Sequence, residues 1–511
     1  MQNLPDKLYT VDSVIQLEQI AINQYAIPAY ELMKRAGEAV FNVLQTNYPR
    51  CKKVLVLCGA GNNAGDGYVV ARLAKQAGFN VDVISLIDAA TLKNEASQSC
   101  QDWLNIASNT KTDLSLVNEA DIVIDALLGT GLAREVSGQW ADWINAVNNS
   151  AKPVISIDIP SGLLADTGVI AGVAIKADIT VSFIGLKQGM FTAQAKDVCG
   201  EVVFNDLSVP DEAYSQVECK TRLIKAVDYS LLAKRKASSH KGKFGHVLIV
   251  GGNNGMPGAV ILAAKAALRT GAGLVTIITA PQNLEAISAA VPEAMVRTCD
   301  MHTENNEALS SLFAESFIKD ITHVAIGMGL AQDDWSLTMM QHCVQLKKPM
   351  LIDADALNLL AKHDSISSEL MPASPLVITP HPGEAARLLS KNETVSAADI
   401  QNNRFQAVKQ LHALFNNSES YTVILKGSGT LIFDGQTIKV CNLGSPAMAA
   451  PGMGDVLSGI VIALMAQNIV LADAAELAVC LHASAAQLVS KGKTRGLLAS
   501  DVVNALPEVL Q

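Results

Sequence analysis

The chain lacks a C-x-x-C pair, an excess of basic residues and an unbroken apolar stretch long enough to cross a bilayer, and it carries little charge for its size. Charged residues make up 17% and hydrophobic ones 49%. That composition excludes a disordered polymer and describes a chain that buries a large core. The formal charge of -10 argues against sequence-independent nucleic-acid binding, so phosphates would be held by local N–H nests and a few lysines. The nine cysteines are scattered and odd in number, which argues against a zinc cluster and suits a reducing compartment. Asp6, Lys7, Asp12 and Glu18 leave no apolar h-region near the start, so no signal peptide is expected. The most apolar run, 460–475, is interrupted by Gln467, Asn468 and Asp473 and reads as a core helix, not a membrane span. A cytoplasmic protein is expected.

At 511 residues the chain exceeds what one hydrophobic core usually supports, so two domains are expected. Helical apolar spacing runs over 11–48 with a break near Pro28. Strand candidates follow at 53–58, 80–86, 121–126, 153–159, 178–184 and 201–205, with a helix over 66–77. Short apolar strands separated by helical stretches predict a parallel sheet covered on both faces. The alternation stops over 206–243, a polar segment with a basic cluster of Lys234, Arg235, Lys236, Lys241 and Lys243. It reads as a domain boundary with a solvated face. The second half alternates again, with strands at 246–250, 274–278, 323–326, 350–353, 376–379 and 421–425 and helices at 259–269 and 385–389. Asp434-Gly435 between apolar runs at 430–433 and 437–441 predicts a hairpin.

The stretch around which the second half is organised is Ala450-Pro451-Gly452-Met453-Gly454-Asp455, followed by an apolar run without a breaker. It reads as a glycine-rich turn feeding the N-terminus of a buried helix, where free N–H groups and the positive helix end converge on an anion. Asp455 is placed to take a proton from a hydroxyl attacking a phosphoryl group. An ordinary N-cap aspartate reads equally well from this loop alone.

In the first half, Gly59-Ala-Gly-Asn-Asn-Ala64 satisfies G-x-G-x-x-A between a strand and a helix, which makes a nicotinamide dehydrogenase a competitor. The acid expected about twenty residues on is absent, and Asp66 would repel a pyrophosphate. Asp125, Asp158 and Ser161 stand at further strand ends. In an open parallel sheet such ends share one crevice, so Asn63, Asp125 and Ser161 can gather hard oxygens round a cation. Singly, each reads as a cap.

Three strings, Asn62-Asn-Ala-Gly-Asp-Gly67, Asp125-Ala-Leu-Leu-Gly-Thr-Gly-Leu132 and Ser156-Ile-Asp-Ile-Pro-Ser-Gly162, resemble the NAD(P)H-hydrate epimerase family. The resemblance spans most of 10–210 and implies a Rossmann-like domain over 1–215 that inverts hydrated NADH or NADPH and uses potassium. It implies that Asn62, Asn63, Ala64, Gly65 and Asp66 hold the substrate together with Gly129, Thr130, Gly131, Leu132, Ala133, Arg134 and Glu135. Asp158 would lie against it as the proton shuttle, and Asn63, Asp125 and Ser161 would be potassium ligands. Lys187 is a weaker candidate for charge stabilisation.

In the second half, Lys426-Gly-Ser-Gly-Thr430 is a flexible loop with a cation and hydroxyls, suited to nucleotide phosphates or to a plain hairpin turn. Thr379-Pro-His-Pro-Gly-Glu384 reads as a proline-rigidified turn rather than a transition-metal site, because no second His stands at helical spacing. With His240-Lys-Gly-Lys-Phe-Gly245 and Asp353-Ala-Asp-Ala-Leu-Asn358, these blocks are similar to the ribokinase-like ADP-dependent NAD(P)H-hydrate dehydratases. The expected architecture is therefore α/β throughout, an N-terminal Rossmann-like parallel-sheet domain followed by a ribokinase-like α/β domain over 225–511. The resemblance implies that Lys426, Gly427, Ser428, Gly429, Thr430 and Gly454 bind ADP. Ala259, Gly329, His381 and Asp455 would contact the hydrate, Asp455 as base, with magnesium on the nucleotide and Glu384 orienting its water. The chain departs from the family in reading Ser445-Pro-Ala-Met-Ala-Ala-Pro451-Gly452, where Pro451 removes an N–H donor. The expected partners are hydrated NADH or NADPH and ADP, in a homo-oligomer, with neither nucleic acid nor membrane. A vitamin or sugar kinase of the same fold, and a first half that only binds nucleotide, remain as alternatives.

Overall fold

Lys53-Val-Leu-Val-Leu-Cys58 is apolar at successive positions because its strand is covered on both sides. Val54, Val56 and Cys58 pack into one core with residues of helices Val11–Asn23, Ala29–Asn47 and Asn62–Gln76. Leu55 and Leu57 point the other way, into a second core with Trp143, Ile144 and Val147 of helix Gln139–Asn149. Each such buried side chain contributes roughly 1.5–3 kcal/mol. The computed structural model describes residues 4–107, 110–299, 307–370, 374–391, 394–415 and 420–510. The chain divides into one unit ending at Leu223 and another starting at Ile224.

The strands of the first unit are β1 (Lys7–Tyr9), β2 (Lys53–Cys58), β3 (Asn80–Ser85), β4 (Ile122–Ala126), β5 (Val154–Ile157), β6 (Ile179–Phe183), β7 (Leu186–Lys187), β8 (Glu201–Asn205) and β9 (Thr221–Ile224). Six of them form a parallel sheet in the order β3-β2-β4-β5-β6-β8. β1 runs parallel to β7 and antiparallel to β9. The chain steps from β2 to β3 on one side and then returns to β4 on the other, so the loops leaving β2 and β4 diverge and open a crevice at the carboxyl ends of the strands. The helix after β2 begins at Asn62, four residues before the start read from the sequence (Asp66). Gly61 supplies its extended N-cap, so the whole Asn-Asn-Ala-Gly string forms the first turn. Gly67 lets this helix close on β4, since a Cβ there would stand 2.6 Å from the Ala126 methyl.

The second unit contains β10 (His246–Val250), β11 (Leu274–Thr279), β12 (Met295–Thr298), β13 (His323–Ile326), β14 (Met350–Ile352), β15 (Leu376–Ile378), β16 (Tyr421–Leu425), β17 (Thr430–Phe433) and β18 (Ile438–Cys441). Their order is β12-β11-β10-β13-β14-β15-β16-β17-β18, parallel as far as β16 and antiparallel through the hairpin beyond it. The order reverses between β10 and β13, which gives this unit a switch point of its own. As expected, the architecture is α/β in both units, an N-terminal parallel sheet and a second, mainly parallel sheet with an antiparallel hairpin at one edge.

Two readings need correction. The 460–475 run is not one helix: Met453–Ala466 ends, Asn468 turns the chain at φ 63°, and Leu471–Ser490 begins. The 206–243 segment holds a short helix, Asp211–Tyr214, and β9. In the basic cluster Lys234, Arg235, Lys236, Lys241 and Lys243 are all exposed, as read from the sequence, and the Arg235 guanidinium lies 3.7 Å from the centre of the Phe244 ring and donates to the Gly271 carbonyl. Among the described residues no helix is long and apolar enough to cross a membrane.

Candidate functional site

A cavity of about 720 Å³ opens at the switch point of the first unit. Asn62, Asn63 and Asp66 line it from the first helical turn after β2, and Gly129, Thr130, Gly131, Leu132, Ala133 and Arg134 from the loop after β4. Asp158 and Lys187 line it as well. Ala64 and Gly65 are buried behind this lining, where a Cβ on Gly65 would meet Met33 Sδ at 2.6 Å. Glu135 stands outside it, exposed beside Gly172. Burial, reinforced by Asp158 and Glu18, pushes the Asp66 carboxyl well above the usual range.

Asp158 is held in a left-handed backbone conformation, φ 63°, which costs a non-glycine residue about 1–3 kcal/mol and tends to mark functional positions. Its N–H donates to the Val181 carbonyl at 2.7 Å, and its carboxylate accepts from the Phe183 N–H at 3.1 Å. The carboxylate also pairs with Lys187 Nζ, a fully buried ammonium that donates further to Ser182 Oγ at 3.2 Å and the Phe183 carbonyl at 3.1 Å. The lysine therefore fixes the direction in which the acid points.

Beneath the cavity Asp125 is fully buried. Its carboxylate accepts from Ser161 Oγ at 2.5 Å, Ser156 Oγ at 2.7 Å and the Ser161 N–H at 2.9 Å. Burial nonetheless raises its pKa. Asn63 Nδ2 donates to the Leu128 carbonyl at 3.2 Å, and Ser161 Oγ accepts from the Leu128 N–H at 2.8 Å. Leu128 thus joins Asn63 to the Asp125–Ser161 pair. Among the described residues Asn63 Oδ1 is buried with no partner. A buried carboxylate, a hydroxyl and an orphaned amide oxygen suit a hard cation of low charge. Among the described residues no group of three or more His, Cys, Asp or Glu is arranged to hold a metal.

In the second unit Asp353 ends β14, buried, and pairs with Lys426 Nζ at 2.7 Å while accepting from Ser458 Oγ at 2.7 Å. Lys426 Nζ also lies 3.8 Å from Glu384 Oε2. Burial works against the Lys426 charge, but Asp353 and Glu384 outweigh it and raise its pKa. Helix Met453–Ala466 points its N-terminus here with no side-chain cap, leaving first-turn N–H groups for an anion. Gly452 must be glycine: its φ is 83°, and a Cβ would meet Leu262 Cδ1 at 2.6 Å. A Cβ on Gly454 would lie 3.3 Å from Lys426 Nζ, so its absence keeps the ammonium accessible. In the first turn of this helix, burial first and Asp353 second push the Asp455 carboxyl up to about 7.

Ala259 and Gly329 come together across the switch point, since a Cβ on Gly329 would meet the Ala259 methyl at 3.0 Å. His381 caps helix Pro382–Leu389. Its Nδ1 accepts from the Gly383 N–H at 2.9 Å, and its own N–H donates to Glu384 Oε2 at 2.7 Å. This is the rigid turn read from the sequence, with an imidazole half-exposed. In the loop after β16, Gly427 and Ser428 are exposed and Thr430 Oγ1 donates to the Gly427 carbonyl at 3.1 Å.

Sequence reasoning missed Arg404. It is fully buried and donates to the carbonyls of Lys426 at 3.2 Å, Leu425 at 3.1 Å and Gly429 at 3.4 Å. By holding those carbonyls it fixes the loop from behind, and a Cβ on Gly427 would collide with its Nη1 at 2.8 Å. An isolated arginine opening a helix reads as a surface residue, so no sequence signal marked it.

The NAD(P)H-hydrate dehydratase family matches residues 247–508, and the family of YjeF-related protein N-termini matches residues 29–189. A bifunctional NAD(P)H-hydrate repair enzyme of Vibrio cholerae is 42% identical over 99% of this chain and 99% of its own length. Its counterpart in Escherichia coli is 38% identical over 99% and 95%. The solved ADP/ATP-dependent NAD(P)H-hydrate dehydratase of Bacillus subtilis, co-crystallised with ATP and Mg2+, is 28% identical at a TM-score of 0.47, covering 55% of this chain and 94% of that one. With family matches in both halves and relatives similar from end to end, the chain belongs to the bifunctional NAD(P)H-hydrate repair enzymes.

Proposed function

We propose that residues 1–215 interconvert the R and S hydrates of NADH and NADPH, and that residues 225–511 dehydrate the S form at the expense of ADP. The hydrate carries its hydroxyl on a carbon bonded to the ring nitrogen, so the nitrogen lone pair can expel it. Water returning to the other face inverts the centre. Asp158, aimed by Lys187, shuttles the proton. Asn62, Asn63, Asp66 and residues 129–134 hold the substrate. Potassium would sit on Asn63, Asp125 and Ser161, where the unpartnered Asn63 oxygen fits it, and would supply the fixed charge that anchors the loop after β4.

In the second unit Lys426, Gly427, Ser428, Gly429, Thr430 and Gly454 hold ADP, and Ala259, Gly329 and His381 the hydrate. Asp455 takes the proton of the hydroxyl as its oxygen attacks the terminal phosphoryl group, releasing AMP. The ring nitrogen then expels phosphate, and loss of a proton from the neighbouring carbon restores the dihydropyridine. First-turn N–H groups and Lys426 stabilise the charge on the transferring group. Magnesium carried on the nucleotide would add to that charge, with Glu384 beside Lys426 to orient its water.

The observation that carries this reading is the Asp455 carboxyl in the first turn of a helix with no side-chain cap, beside the Lys426–Asp353 pair. Purified hydrate epimers, followed at the reduced-nicotinamide absorbance with ADP, ATP or neither, test it. Recovery of NAD(P)H with AMP and free phosphate is expected. A stable phosphorylated product would instead support a kinase.

A further inference from the structure

Helix Val11–Asn23 turns Val11, Val14, Ile15 and Glu18 toward the cavity of the first unit. This spacing is one face of an α-helix, and on it Glu18 is the one ionisable group. A carboxylate in an otherwise apolar stripe calls for a reason, because the core gains nothing from it. No structural task is evident either: among the described residues neither a hydrogen bond nor an ion pair engages the Glu18 carboxylate. Asp158, by contrast, reaches the same cavity from the end of β5 with Lys187 fastened to it.

Inversion at one carbon needs proton transfer on both faces of the ring. The hydroxyl leaves from one side and water adds from the other. We propose that Glu18 is the second acid–base residue of the epimerase. In one direction the Glu18 carboxylic acid gives its proton to the departing hydroxyl oxygen as the carbon–oxygen bond breaks and the nitrogen lone pair forms the iminium. A solvent water then adds to the opposite face and gives its proton to Asp158. One water leaves and one enters. Exchange of a proton with solvent resets the pair, and the reverse reaction uses them in exchanged roles. The groups facing Glu18 are Asp158, Glu95, Asp66 and Lys187. Burial first, then Asp158 and Glu95, raises its pKa against the opposing pull of Lys187, which suits the donor role.

This inference rests on the epimerase reading of the first unit. The test compares full-length wild type, Glu18→Gln and Glu18→Asp for conversion of the R hydrate across a pH series, with ADP-driven dehydration of the S hydrate as the folding control. Glu18→Gln should lose about 100-fold in kcat with KM changed less than about threefold, and should lose the alkaline limb of the pH profile. Glu18→Asp should recover part of the rate and regain that limb. Wild-type kcat in Glu18→Gln, or an unchanged pH profile, would overturn the role of Glu18. A wild-type enzyme that does not accelerate epimerisation would instead overturn the reading beneath it.

Discussion

The two units use the same architectural opportunity, a crevice where the strand order reverses, but they hold the carboxylates proposed to do their chemistry in opposite ways. Asp158 is tied to a buried lysine and to main-chain donors, in a backbone conformation that only its surroundings can hold. Asp455 has no such tether. It sits at a helix N-terminus, and burial with Asp353 leaves its carboxyl near 7. Lys426 in the second unit is paired to Asp353 and not to Asp455. A pinned acid suits a reaction in which water enters and leaves at one carbon. A poised base suits taking a proton from an alcohol as a phosphoryl group arrives.

The contrast can be broken in order of expected effect. Asp158→Asn should lower R-to-S conversion by about 100- to 10,000-fold while S-hydrate dehydration stays within about twofold, as measured on each epimer separately. Equal losses on both would mean that the two sites are not independent. The pH dependence should differ next. In its proposed role as base Asp455 acts in the ionised form, and burial raises its pKa by penalising that form. Dehydration should therefore fall about tenfold per unit below pH 7 and level off above it. A flat profile between pH 5 and about 8 would remove Asp455 as the base. The smallest effect concerns the cation. Asn63→Ala deletes the orphaned oxygen and should raise the potassium concentration giving half-maximal epimerisation by about tenfold, with dehydration unaltered.

Much of this was legible from the chain. β2, β10, β13 and β16 stand where the apolar runs predicted them, because buried parallel strands leave continuous hydrophobic signatures, while β8 at a sheet edge and β17 in the antiparallel hairpin also stand at their predicted positions. The glycine-rich turn before Asp455 was legible for a steric reason, since Gly452 and Gly454 stand where a Cβ has no room or would mask a lysine. β12 was not legible: it is a partly exposed edge strand of four residues, Met295–Thr298. β9 was hidden in a polar segment whose pairing with β1 joins residues far apart in the chain. Arg404 and Glu18 were missed for a common reason. Each is defined by a tertiary neighbour, main-chain carbonyls for Arg404 and a cavity that Glu18 lines, and periodicity carries no information about either. Glu135 shows the converse, a residue adjacent in sequence to the cavity loop whose side chain stands outside it.

The proposed dehydration depends on the acid at the head of the second unit's helix. The decisive measurement is recovery of the reduced nicotinamide from S hydrate and ADP by full-length Asp455→Asn, with R-to-S conversion followed in the same preparation. Loss of at least about 100-fold in recovery, with epimerisation intact, is the predicted result. Recovery at the wild-type rate would contradict it.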